Sequence, residues 1–147
     1  MTKIKLVALD MFGVLVLDVD KEYDSYTSYL KNDQKVVNKE LLEFFKEKDI
    51  DIALVSNADN STFNHYLKDY LDDFKYIILS KEVGYSKPDI RIFECLANLS
   101  KVALENIAMI DDLPSNLVEL RKFSDYTHVY KNNQGTIKWI SEELGNK

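Results

Sequence analysis

Near its start the chain reads IKLVALDMFGVL (residues 4–15), in which an apolar run ends at Asp10 shortly before a glycine. A short apolar run without alternation is typical of a strand that is buried on both faces. The stretch therefore predicts a central strand of a covered sheet. The carboxylate of Asp10 would lie at the carboxyl end of that strand.

Four further segments repeat this pattern, and helical patterns alternate with them. The further predicted strands are 51–56, 74–80, 106–111 and, more weakly, 126–130. The predicted helices are 38–48, 60–73, 88–100, 114–124 and 135–144. Strands that alternate with helices require right-handed crossovers. The pattern predicts an α/β fold with a doubly wound, Rossmann-like, five-stranded parallel sheet.

Composition narrows the classes of function. The chain has 147 residues, which fits one domain spanning residues 1–147. Its net charge of −6 and the absence of a basic stripe argue against a nucleic-acid partner. A single cysteine, Cys95, excludes an internal disulfide and suits a reducing compartment. No signal peptide and no membrane-length apolar run is visible, so we predict a cytoplasmic protein without a membrane partner.

Polar residues stand where the predicted strands end. In doubly wound sheets the carboxyl ends of the strands form the functional site. The residues placed there are Asp10, Ser56, Asn57, Lys87, Asp111 and Asp112. Each has a structural alternative when taken alone, such as a helix cap for an aspartate or a solvated loop position for the lysine. Their convergence on one edge favours a functional site.

Four stretches, in this order, resemble the motifs of the haloacid dehalogenase (HAD) superfamily. They are LVALDMFGVL with Asp10, IALVSNAD with Ser56, GYSKPDIRIF with Lys87, and AMIDDLPSN with Asp111 and Asp112. The resemblance covers nearly the whole chain. It implies the strand order 5-4-1-2-3, with the predicted strands numbered along the chain. It also implies a Mg²⁺-dependent phosphatase that acts through an aspartyl-phosphate on a phosphate ester or anhydride.

The resemblance also implies a role for each residue. Asp10 would be the nucleophile, and Mg²⁺ would be bound by Asp10, the backbone carbonyl of Phe12 and the carboxylate of Asp111. These are the oxygen ligands that Mg²⁺ prefers.

The remaining residues would act on the phosphoryl group. The Ser56 hydroxyl and the Asn57 backbone amide would hold phosphoryl oxygens at a helix N-terminus. Lys87 would neutralise both the nucleophile and the transferring group. Asp112 would support the site by orienting Lys87 or a metal-bound water.

Phe12 departs from the family pattern, because the phosphatases carry a proton-transferring aspartate two residues after the nucleophile. One explanation is a substrate whose leaving group needs no acid, such as an acyl or aryl phosphate, or a substitute acid among Asp18, Asp20 and Asp112. A second is dehalogenase-like chemistry, which the Asp111-Asp112 pair disfavours because the dehalogenases do not keep it. A third is a catalytically weak or inactive binding module.

The second departure is a minimal cap, because only residues 17–36 remain for a flap or cap remnant. We expect an open site that admits a phosphorylated small molecule or a phosphoprotein. Such an open site also suits a second copy of the chain or a partner protein that covers it. Tyr23, Tyr26 and Tyr29 would share one helix face, which either packs on the domain itself or forms such an interface.

Overall fold

A computed structural model describes residues 3–18 and 35–145. Its strands are β1 (Leu6–Leu9), β2 (Val16–Asp18), β3 (Lys35–Val37), β4 (Ile52–Ser56), β5 (Tyr76–Leu79), β6 (Ile107–Asp111) and β7 (Thr127–Val129). Its α-helices are α1 (Lys39–Glu47), α2 (Asn60–Leu67), α3 (Ser80–Val83), α4 (Ile90–Ser100) and α5 (Asn133–Glu143). None of the helices in these ranges has the length and apolar character needed to cross a membrane.

Five of the strands form one sheet in the order β5-β4-β1-β6-β7, and every pairing in it is parallel. This is the predicted order 5-4-1-2-3, which is therefore confirmed. The first predicted strand is the central one and pairs with β4 on one side and β6 on the other. Its position brings the ends of three strands together around Asp10.

Both faces of the sheet are covered, which explains the continuous apolar runs. Alternate residues of β1 enter opposite cores, with Val7 and Leu9 in one and Leu6 and Ala8 in the other. The first core includes buried side chains of α1, α2 and α5, and the second is filled largely from α4. A strand that is buried on both faces therefore needs apolar residues at successive positions and not only at alternate ones.

The segment 114–124 differs from its prediction as one helix. It forms two separate 3₁₀ turns, Pro114–Leu117 and Leu120–Lys122. Leu117 and Leu120 are both fully buried in the second core. Leu117 ends the first turn and Leu120 begins the second, so the helix is interrupted between the two buried leucines. Each short turn is therefore anchored in the core by one leucine.

The ends of the predicted flap form a small antiparallel sheet of β2 and β3. Val16 pairs with Val37, and Asp18 stands opposite Lys35. The side chains of Asp18 and Lys35 form an ion pair across this hairpin base. The rest of the predicted flap, with Asp20 and the three tyrosines, lies outside the described residues.

Asn38 ties the loop after β1 to the rest of the domain. Its backbone amide donates to the Leu15 carbonyl and its side-chain amide to the Val14 carbonyl, both at 2.8 Å. Its side-chain oxygen accepts from Leu41, at the start of α1, and from Asn133, at the start of α5. One buried side chain therefore joins the loop to two helix N-termini.

We predict that Asn38→Ala lowers the free energy of unfolding by about 1–3 kcal/mol, because buried partners lose their hydrogen bonds. The loss in free energy of unfolding is measured by urea denaturation followed by circular dichroism. Asn98→Ala is the matched control, because Asn98 is exposed within α4. Equal stabilities for the two variants would contradict the role assigned to Asn38.

Candidate functional site

A cavity of about 650 Å³ opens at the carboxyl edge of the sheet. The predicted site residues that line it are Asp10, Phe12, Ser56, Asn57, Lys87 and Asp112. Asp111 is fully buried and is not among the lining residues. The structure therefore brings the predicted set together, with Asp112 facing the cavity and Asp111 behind it.

Lys87 lies between two carboxylates from neighbouring strands. Its Nζ is 2.8 Å from Oδ1 of Asp10 and 2.7 Å from Oδ2 of Asp111. The lysine side chain is only 1% exposed, Asp111 is 0% exposed and Asp10 is 11% exposed. Such a buried ammonium needs both partners, because its desolvation is costly. The ion pairs fix Lys87 beside the carboxylate predicted to be the nucleophile.

The carboxylates carry more negative charge than Lys87 can neutralise. Burial raises the pKa of Asp10 to about 7, Lys87 opposes the rise, and the charge of Asp111 adds to it. Burial also raises the pKa of Asp112, with a further contribution from Asp111. Three carboxylates facing one lysine are stabilised in their ionised form by an additional cation.

The donor set fits a hard divalent cation. Asp10, Asp111 and Asp112 each offer an oxygen, and these oxygens lie within 4.8 Å of one another. Mg²⁺ binds through one or two carboxylates and keeps several waters, so a partly open all-oxygen cluster suits it.

Asn57 positions Lys87 through its side chain, a role that the sequence did not indicate. The Lys87 backbone amide donates to Oδ1 of Asn57 at 2.8 Å, and Nδ2 of Asn57 donates to the Lys87 carbonyl. The Ser80 hydroxyl in turn donates to the Asn57 carbonyl at 3.0 Å. These contacts hold the Lys87 loop against the end of β4.

The hydroxyl hydrogen of Ser56 is available to donate to a ligand. Its hydroxyl oxygen accepts from the Ala58 backbone amide at 3.1 Å. An accepting hydroxyl retains its own O–H. The neighbouring α2 is capped by Asp59, which accepts from the Thr62 amide. Ser56 therefore offers a hydroxyl hydrogen to the cavity that it lines.

Gly13 and Asn116 complete the site and were missing from the sequence prediction. Gly13 has φ +86°, and a Cβ there would lie 2.2 Å from Oδ2 of Asp112. Only glycine therefore allows the Asp112 carboxylate to take this position. Asn116 donates to Oδ2 of Asp111 at 3.2 Å. The glycine turn after Asp10 was a usable signal for Gly13, whereas nothing in the sequence pointed to Asn116.

Phe12 presents an aromatic ring to the cavity. It is 38% exposed, and its ring contacts Tyr66 edge to face at 5.5 Å between centroids. Asp18, considered as a substitute acid, also lines the cavity and pairs with Lys35.

We predict that Lys87→Met lowers the free energy of unfolding by about 3–5 kcal/mol, because two buried carboxylates lose their cation. Adding Asp111→Asn should restore part of the loss, since it removes one of the uncompensated charges. Chemical denaturation gives the free energy of unfolding of the wild type, of Lys87→Met and of the double variant. The control is Lys122→Met, which breaks an exposed ion pair with Glu119 and should cost less than about 1 kcal/mol. A loss for Lys87→Met no larger than the control's would contradict the prediction.

Solved structures of known proteins share this fold. A HAD-superfamily hydrolase from Ehrlichia chaffeensis has 17% identity and a TM-score of 0.75, covering 98% of this chain and 99% of its own. A HAD-family enzyme from Bacteroides thetaiotaomicron, in complex with magnesium and inorganic phosphate, has 16% identity and a TM-score of 0.70, covering 91% and 98%. No curated protein matches the chain. At these identities the likeness concerns the fold alone.

The sequence model of one family covers more than half of the chain. That family is described as haloacid dehalogenase-like hydrolase, and the match spans residues 36–122. The range includes Ser56, Lys87 and the Asp111-Asp112 pair, and it begins after Asp10 and Phe12. With the sheet order and the shared fold, the match shows that this chain belongs to the haloacid dehalogenase-like hydrolases.

Proposed function

We propose that the protein is a Mg²⁺-dependent phosphatase in which Asp10 is the nucleophile. The observation that carries the proposal is the placement of the Asp10 carboxylate at the cavity, 2.8 Å from the Lys87 ammonium and within a three-carboxylate cluster. The magnesium and phosphate in the Bacteroides thetaiotaomicron enzyme support it, because that enzyme has the same fold.

The resemblance assigned the metal to Asp10, the backbone carbonyl of Phe12 and Asp111. Because Asp111 pairs with Lys87 whereas Asp112 lines the cavity, we assign Asp112 to the metal beside Asp10 and the Phe12 carbonyl. Asp111 belongs to the same cluster and also holds Lys87. When bound, Mg²⁺ would offset the repulsion between a phosphate dianion and the Asp10 carboxylate. Gly13 leaves the space that one of these carboxylates, Asp112, occupies.

Asp10 would perform the first chemical step. A carboxylate oxygen forms a bond to phosphorus, the bond from phosphorus to the leaving oxygen breaks, and the leaving group takes the electron pair. Lys87 and the Ser56 hydroxyl stabilise the charge on the phosphoryl oxygens. Water then attacks the phosphorus of the aspartyl-phosphate and the bond from phosphorus to the Asp10 oxygen breaks, which restores the carboxylate and releases inorganic phosphate that carries the protons of the water.

Phe12 restricts the leaving group, because an aromatic side chain cannot supply a proton. General acid catalysis contributes roughly 10²–10⁴-fold where it operates. The enzyme should therefore act on acyl or aryl phosphates, whose leaving groups are stable as anions. The substrate would be a phosphorylated small molecule or a phosphoprotein.

The presence of Phe12 also favours a second candidate function, a HAD-fold binding or regulatory module with little turnover. Phe12 removes a group that the chemistry uses, whereas the cluster of Asp10, Lys87 and Asp111 retains the buried charges that the chemistry needs. Two buried carboxylates beside a third that is partly buried are costly in a module that has no cation to bind. We therefore rank the phosphatase first and dehalogenase-like hydrolysis last.

The first test is hydrolysis of acetyl phosphate and p-nitrophenyl phosphate with Mg²⁺. We expect activity that EDTA abolishes and that Asp10→Asn lowers by more than about a hundredfold, because the nucleophile is lost. Asp125→Asn is the matched control, since Asp125 is exposed and lies outside the cavity lining. Equal rates for wild type and Asp10→Asn would favour the binding module.

A second test restores the missing acid. Phe12→Asp should raise kcat/KM for an alkyl phosphate by at least about tenfold, because the new carboxyl can protonate the alkoxide. Acetyl phosphate, which needs no acid, should gain much less. Mg²⁺ affinity, measured by calorimetry, shows whether the cluster remains intact. No gain with normal Mg²⁺ binding would show that geometry, not the missing acid, limits the chemistry.

A further inference from the structure

The cavity has an apolar side next to its charged end. Phe12 and Leu113 both line it, and both are large apolar side chains left exposed, at 38% and 51%. Val16 adds to the same lining. Single exposed apolar residues are ordinary on a surface, whereas two in one cavity mark a surface for a ligand.

The topology places this apolar surface beside the reacting groups. Leu9 of β1 pairs with Ile110 of β6, and Phe12 and Leu113 follow these two paired residues by three positions each. Asp10 and the Asp111-Asp112 pair lie within these same two connections. Asp10 and the two apolar side chains line the same cavity, so a phosphoryl held at Asp10 shares that cavity with the apolar surface.

The Phe12 ring has a fixed neighbour. Tyr66, at the end of α2, contacts it edge to face, with an angle of 82° between the ring planes. Aromatic pairs in this arrangement contribute about 0.5–1.5 kcal/mol beyond buried area. The contact orders the ring before a ligand arrives, which lowers the entropy lost on binding.

We propose that the substrate is an aryl phosphate, a phosphate monoester of a phenol, whose ring packs against Phe12 and Leu113. The proposal rests on the phosphatase function above and names its substrate class. Phenols are far more acidic than alkanols, with a pKa near 10 for tyrosine. The phenolate therefore departs with the electron pair of the broken P–O bond and takes its proton from water.

Two properties of Phe12 select the same leaving group. The side chain gives no proton, which disfavours alkyl phosphates, and it gives an aromatic surface, which favours a ring. Acetyl phosphate has a leaving group that needs no proton but has no ring. Benzyl phosphate has a ring, but its alkoxide leaving group needs a proton. Phenyl phosphate has both a ring and a leaving group that needs no proton.

The test compares kcat/KM for phenyl, benzyl, acetyl and ethyl phosphate in wild type and Phe12→Leu. Loss of the ring contact should lower the phenyl-to-acetyl ratio about five- to tenfold in Phe12→Leu. The benzyl-to-ethyl ratio should fall by a similar factor, because that pair isolates the ring from leaving-group acidity. Phe123→Leu is the matched control, since Phe123 is 52% exposed and lies outside the cavity lining. Unchanged ratios in Phe12→Leu would overturn the proposal.

Two further arms complete the design. Free phosphotyrosine and a phosphotyrosine peptide distinguish a small aryl phosphate from a protein side chain, and a rate above that of ethyl phosphate for either supports the class.

Calorimetry with phenylphosphonate and methylphosphonate tests the ring contact without turnover. Tighter binding of phenylphosphonate that disappears in Phe12→Leu supports the aryl site even if hydrolysis fails, and equal affinities overturn it. Absence of hydrolysis for all four esters would refute the phosphatase function separately.

Discussion

The buried Lys87 ammonium is the interaction on which the site depends. It joins the ends of β1 and β6 through Asp10 and Asp111, and it comes from the loop between α3 and α4. Because a buried cation is tolerated only with well-placed partners, the three segments must keep their relative positions. Asn57 and Asn116 support the lysine backbone and the second carboxylate. Among the residues described, every buried polar side-chain atom has a hydrogen-bond partner.

Around this charged centre the site is asymmetric. The cavity lining combines carboxylates, an ammonium and the Ser56 hydroxyl with the apolar side chains of Phe12, Leu113 and Val16. An enzyme without a proton donor at the leaving oxygen depends on substrates whose leaving group departs as a stable anion. Under the proposed function, Phe12 is compatible with the family's chemistry, because it would narrow the range of leaving groups while the Asp10 carboxylate stays at the cavity.

The sequence predicted the sheet well because doubly buried strands leave an unambiguous apolar signal, and the motif order supplied their arrangement. It also indicated which residues end each strand. It did not indicate how deeply each side chain lies, since Asp111 is fully buried whereas its neighbour Asp112 lines the cavity. The close approach of Asp112 to Gly13, the side-chain contacts of Asn57 and the 3₁₀ turns around Leu117 and Leu120 depend on tertiary packing. No local pattern encodes these contacts.

The hairpin base has a consequence for engineering. Asp18 and Lys35 are directly opposed rungs of one ladder, so the chain leaves the core and returns to it at adjacent points. Loop-closure entropy grows slowly with length, by about 0.6 kcal/mol for each doubling. A longer foreign segment inserted between these two residues would therefore perturb the sheet little. This position is a natural graft point, at which a transplanted lid could change substrate scope while the catalytic core stays constant.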